Sequence, residues 1–226
     1  MTPTIFQYWT QVDGISHLVA YCLVLMSLLS WFLILSKAWS FWRIRRCAKR
    51  LAAFWQAPGI DDALAMLQQA DHEDIFSPLA RHSVLAADTA KAATGLSQYA
   101  SLEHVLTRVL RQEMNTATVR LESGLSLLAS VGATAPFVGL LGTVWGVYHA
   151  LSTVAESGAV QIAQVAGPVG EALIMTALGL IVAIPAVLAY NGLHRVNRIT
   201  LAELDAFAYD LHAHLSKTPA VKPSQN

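Results

Sequence analysis

The stretch AGPVGEALIMTALGLIVAIPAVLAY, Ala166 to Tyr190, decides the architecture of this chain. A bilayer's hydrocarbon core is crossed by about 20 predominantly apolar residues in a helix, and this run is long enough. It holds one formal charge, Glu171, with no lysine or arginine within two helical turns. An acid at the centre of a membrane helix costs about 2.5 to 3.5 kcal/mol on insertion scales, so such residues usually face a bundle interior or an aqueous path. Pro168 and the favourable field at a helix N-terminus allow a milder reading, in which Glu171 lies shallow, near the outer interface.

Working outward, two more runs have spanning length: His17 to Ser36 and Leu125 to Leu151. The wider composition agrees, with 54% hydrophobic and 13% charged residues among 226. The mean hydropathy is +0.45. The first run lacks a basic segment before it and is followed by Lys37 and a basic cluster, which marks a retained helix and not a cleaved signal. Zero net charge gives no reason to expect nucleic acid. Cys22 and Cys47 lie in or beside the first span, which excludes a disulfide framework.

Basic residues set the orientation. None precedes the first span; Lys37, Arg43, Arg45, Arg46, Lys49 and Arg50 follow it, and Arg195, Arg198, Lys217 and Lys222 follow the third. The loop between spans two and three has none. The expected chain is an all-α integral membrane protein with its N-terminus outside and C-terminus inside. Its divisions are an external segment 1–16, spans 17–36, 125–151 and 162–190, a helical cytoplasmic domain 37–124, an external loop 152–161 and a cytoplasmic tail 191–226. Trp39, Trp42 and Tyr190 stand where interfacial aromatics belong, and the cluster from Arg43 to Arg50 can touch anionic lipid head groups.

Within the cytoplasmic insertion, Asp61 and Ser77-Pro78 read as helix starts and Gly95 as a turn. Leu102, Val105, Leu106, Val109, Leu110, Ala117 and Leu121 recur at helical spacing and read as bundle core. With no proline before Pro136, that helix is expected to run straight into the second span.

Small residues recur along the last two spans: Gly132, Pro136, Gly139, Gly142, Thr143, Gly146 and Ala150, then Ala172, Thr176, Gly179 and Ala183. Such stripes let helix backbones approach closely in lipid, or line a narrow passage, and each carries one hydroxyl. Glu171 and Thr176 stand roughly 140° apart on an ideal helix, so one should face a lumen and the other a neighbouring helix. Three spans do not readily enclose a polar path, and a homo-oligomer about a central axis supplies the shelter. No phosphate-binding loop occurs, the spans offer one carboxylate where a membrane aspartyl protease needs two, and His212 and His214 read as solvated tail residues. No catalytic, metal or cofactor site is expected.

TAPFVGLLGTVWGVYHAL (Thr134 to Leu151) and GPVGEALIMTALGLIVAIPAVLAYN (Gly167 to Asn191) closely resemble the MotA/TolQ/ExbB proton-channel family. The topology matches its ExbB and TolQ branches over nearly the whole chain. SWFLILSKAWSFWR and RLESGLSLLASVGATAPFVG are similar to the ExbB branch. The resemblance implies an inner-membrane proton-channel subunit, pentameric, holding the single membrane helix of an ExbD-like partner. It also implies a TonB-like protein that conveys the proton motive force to outer-membrane import of siderophores and vitamin B12. Thr143, Glu171 and Thr176 match the family's pore-facing polar positions. A TolQ-like subunit of the Tol-Pal system, a structural scaffold and a small-solute transporter are the competing readings, the last disfavoured by the lack of an internal repeat or a substrate-sized polar cluster.

Overall fold

The structure is a computed structural model that describes residues 14–92, 101–157 and 162–217. Every regular element among them is helical. In order these are α1 Gly14–Ala48, α2 Leu51–Phe54, α3 Ile60–Ala70, α4 Ser77–Lys91, α5 Leu102–Glu122, α6 Leu125–Ser157 and α7 Ile162–Lys217. Three stretches are long and apolar enough to cross a membrane, one each in α1, α6 and α7. The last helix has 56 residues, roughly 84 Å at 1.5 Å per residue, far more than the ~30 Å of a bilayer core. A helix of that length carries a spanning part and a part for water.

The chain divides into two compact units, residues 1–36 with 124–193 and residues 37–123 with 194–226. In the first, the membrane unit, the buried cluster is small: Val19, Leu23, Leu128, Val131, Ala135, Ala183 and Ala186. Large apolar side chains such as Phe32, Phe137, Ile181 and Leu188 point outward instead. That inversion is expected where lipid tails, not water, surround the helices, because burying leucine from lipid yields no hydrophobic gain. Close backbone packing holds the unit together. At Gly139 an added Cβ would lie 2.6 Å from the Met175 carbonyl oxygen, and at Gly179 one would lie 2.7 Å from the Ala135 carbonyl oxygen. Gly132 lies against Val187, Gly142 against Val19 and Met175, and Gly146 against Ala172. Ala172 and Ala183 are buried, and Pro136 is half-buried inside α6.

The second, polar unit has an ordinary core. Leu106, Leu110, Ala117 and Leu121 of the expected stripe are buried, together with Leu79, Ala80, Leu204 and Leu211, while Leu102, Val105 and Val109 are half-buried. Phe54, Trp55, Phe76 and Phe207 meet edge-on or tilted, with centroids 5.1 to 6.2 Å apart. Cys47 is buried and Cys22 half-buried, both as free thiols.

Several local expectations are corrected. α5 does not run on into the second span. It ends at Glu122, Ser123 turns to an extended ψ, and Gly124 takes a left-handed φ of 78° before α6 begins. Glycine adopts that conformation without a Cβ penalty, so it marks the break where proline was sought. The carbonyls exposed by the break are satisfied: the Lys37 ammonium donates to the Arg120 and Leu121 oxygens at 3.1 and 3.2 Å, and the Asn197 amide to Leu121 at 2.8 Å. Asp61 lies in the first turn of α3, with Gly59 at the cap. Ser77 is the first residue of α4, and the capping oxygen comes from Asp71, whose Oδ2 accepts from the Phe76 and Ser77 amides, each at 2.7 Å. Ser101 caps α5 by accepting from the His104 amide. Pro168 is inside α7, not at its start. His212 is half-buried, with Nε2 enclosed and unpartnered, and only His214 is exposed, edge-on to Trp55. α6 continues past Leu151 through Ser157. Gly95 lies outside the described residues.

Candidate functional site

Thr143 and Thr176 are each one of the few polar side chains within a long apolar helix, and the small-residue stripes bring them together. Because Gly139 and Gly179 lack side chains, α6 and α7 approach closely enough for a threonine on one helix to reach backbone on the other. The Thr143 hydroxyl lies 3.2 Å from the Gly139 carbonyl oxygen in its own helix and 3.1 Å from the Ala172 carbonyl oxygen across the seam. The Thr176 hydroxyl lies 3.4 Å from the Gly139 oxygen, and the two hydroxyls are hydrogen-bonded to each other.

Each hydroxyl has one proton to donate and lone pairs to accept with. Two protons therefore serve three acceptor directions: the Gly139 oxygen, the Ala172 oxygen and the partner hydroxyl. Thr143 can donate to Ala172 while Thr176 donates to Thr143, or Thr176 can donate to Gly139 while Thr143 donates to Thr176. Both arrangements satisfy both side chains, and they differ only in the direction of the short hydroxyl chain. Both threonines are half-buried, so this pair reaches the edge of the seam.

Glu171 does not join them. It is exposed on α7, next to Ala172, which is buried against α6. Among the described residues its carboxylate makes no ion pair or hydrogen bond. Of the two groups expected to diverge, Thr176 faces the neighbouring helix and Glu171 faces away from the chain. Since α7 begins at Ile162, Glu171 lies almost three turns in, too far for the helix N-terminus to supply much stabilisation. An ionisable residue on a membrane helix ordinarily faces a bundle interior or a water-filled cavity.

Sequence reasoning missed the two carbonyl oxygens, Gly139 and Ala172, that complete the polar seam. The readable signal is a threonine four residues after a glycine, facing a small residue on the next span. It also missed Trp145, whose indole Nε1 is buried in the membrane unit with no acceptor. No group of three or more metal-ligating side chains occurs among the described residues.

Residues 81–206 match the family model described as MotA/TolQ/ExbB proton channel family. The chain is 44% identical over 204 residues to the biopolymer transport protein ExbB of Xanthomonas campestris pv. campestris, covering 88% of this chain and 81% of that protein. It is 40% identical over 196 residues to ExbB of Neisseria meningitidis, covering 85% and 88%. The Tol-Pal system protein TolQ of Pseudomonas aeruginosa is 31% identical over 228 residues, covering 96% and 97%.

Proposed function

From the chain's membership of the MotA/TolQ/ExbB proton channel family, we propose that it is the channel subunit of an ExbB-type energy-transducing complex in the bacterial inner membrane. Its N-terminus faces the periplasm, with residues 37–124 and 191–226 in the cytoplasm, as the basic residues direct. Copies assemble as a homo-pentamer around the membrane helix of an ExbD-like partner. Proton flow through that assembly drives a TonB-like protein to energise outer-membrane uptake of siderophores and vitamin B12. This reading gives the chain no catalytic chemistry of its own.

The observation that carries the reading is the position of Glu171, an outward-facing and unpaired carboxylate on a membrane helix. A neighbouring subunit and the partner helix supply the shelter it lacks. The Thr143–Thr176 pair provides exchangeable hydroxyls in the α6–α7 seam, with Thr176 on a different face of α7 from Glu171. Glu171→Gln keeps the shape and removes the charge. Proton-gradient-driven uptake should fall at least tenfold while the purified complex keeps its normal composition. Uptake at the wild-type rate with normal assembly would remove Glu171 from the path.

A TolQ-like role is the second reading, favoured by a match to TolQ over 96% of this chain. The higher identity to ExbB proteins, 44% and 40% against 31%, supports the first reading. Affinity purification of the chain from its own cells separates the two: ExbD- and TonB-like proteins support the first, TolR- and TolA-like proteins the second.

A further inference from the structure

Between Gly14 and Ile60 the chain has no acidic residue, yet it carries six lysines and arginines from Lys37 to Arg50. Two of these are already committed. Lys37 holds the end of α5, and Arg43 pairs with Glu73 at 3.1 Å, a carboxylate that also accepts from Ser40 at 2.6 Å. The side chains of Arg45, Arg46, Lys49 and Arg50 are exposed and make no ion pair or hydrogen bond among the described residues.

Two of these cations do not extend into solvent. The Arg46 guanidinium lies 3.3 Å from the centroid of the Trp42 ring, and that of Arg45 lies 5.5 Å from Phe41. Each is folded back over the ring four residues earlier, toward the apolar run that ends at Ser36. Trp39, Trp42, Arg46 and Lys49 recur at helical spacing on one face of α1, while Ile44 and Cys47 on another face are buried. Trp39 and Trp42 are 65% and 48% exposed, unusual for tryptophan unless something else covers the rings.

The depth is informative. Trp42 is six residues past Ser36, roughly 9 Å along the helix, whereas Arg46 extended sideways would sit roughly 15 Å past it. The head-group layer is roughly 5–8 Å thick on each side of the hydrocarbon. Folding back brings the guanidinium to the margin of that layer, and stacking on indole leaves its N–H edge free to meet a phosphate oxygen pair.

We propose that the Trp39–Trp42–Arg46 face of α1 is a binding site for the phosphodiester head group of an anionic phospholipid. The tryptophans cover the glycerol region, and Arg46 takes the phosphate. Arg45 and Lys49 contribute less, because both line a cleft that also contains Glu203 and Asp210. The inference requires that α1 cross a membrane and does not depend on proton conduction.

The test is native mass spectrometry of the purified full chain in detergent, titrated with phosphatidylglycerol or phosphatidylcholine. Phosphatidylglycerol should bind at least tenfold more tightly. Arg46→Gln should weaken it about five-fold, the usual worth of one basic residue at an anionic surface, and leave phosphatidylcholine unchanged. Trp42→Leu should also weaken it although every charge remains, and Arg108→Gln, an exposed cation on α5, should not. Equal affinity for the two lipids, or equal losses in Arg46→Gln and Arg108→Gln, overturns the site. Displacement of bound lipid by millimolar inorganic phosphate also overturns it, as does a loss confined to subunit association.

Discussion

At Thr143 and Thr176 the energetics and the chemistry can be separated. An interhelical hydrogen bond within a membrane averages about 0.6 kcal/mol and reaches about 1.7. Thr143→Val or Thr176→Val therefore removes little association energy, and the shape is kept. The expected outcome is an intact oligomer on size-exclusion chromatography with proton-driven activity reduced several-fold. Dissociation of the oligomer would assign the hydroxyls to packing alone. Asp71 poses a different residue-level question. Burial pushes its carboxyl above the usual range, while the amides of Ser77, Phe76 and Ile75 pull the other way. A raised folded-state value means a contribution that is fully present below the unfolded value and lost as pH rises through the folded one. The stability of the wild type relative to Asp71→Asn should thus increase as pH falls from 7 toward 4, read by thermal melts of both proteins. Asp71→Ala leaves two buried amides without an acceptor and should cost about 1–3 kcal/mol at any pH in that range.

At the scale of the element, the contact between α6 and α7 depends on missing side chains. A Cβ at Gly139 would meet backbone atoms of Met175, Thr176 and Gly179, none of which can rotate away. Gly139→Ala should separate the helices at a cost of about 1–3 kcal/mol, and break the Thr143–Ala172 bond with it. Thermal stability in detergent should fall together with activity, whereas alanine at Gly167 or Gly170, where nothing lies within 4 Å, should leave stability nearly unchanged. These stripes were legible in the sequence because small residues repeat at three- and four-residue spacing in lipid-length helices. The break between α5 and α6 was not, because a single glycine in a run of helix formers looks tolerable until its φ is known. Asp71 was hidden for another reason. It caps a helix six residues away, beyond the local spacing by which caps are recognised. His212 reads as a solvated tail residue by sequence position, but α7 holds it half-buried with Nε2 enclosed, on the helix that carries the core residues Phe207 and Leu211.

For the whole molecule, the sequence discloses three spans from hydropathy and an all-helical fold from periodicity. It does not disclose which polar residues share a seam, since that depends on how two helices cross. Nor does any described side chain of this chain pair with Glu171. The proposed oligomer follows from that deficit, and native mass spectrometry of the detergent-purified protein should find five copies as the dominant species. A monomer carrying full activity would contradict it.

α1 and α7 are unbroken from the membrane unit into the polar unit, whereas the α5–α6 connection is interrupted at Gly124. Bending either continuous helix disturbs consecutive backbone hydrogen bonds, but turning at Gly124 asks only for a change in two dihedral angles. In mechanical terms α1 and α7 are stiff rods along their described lengths, and Gly124 is a swivel in the connection from α5 to α6.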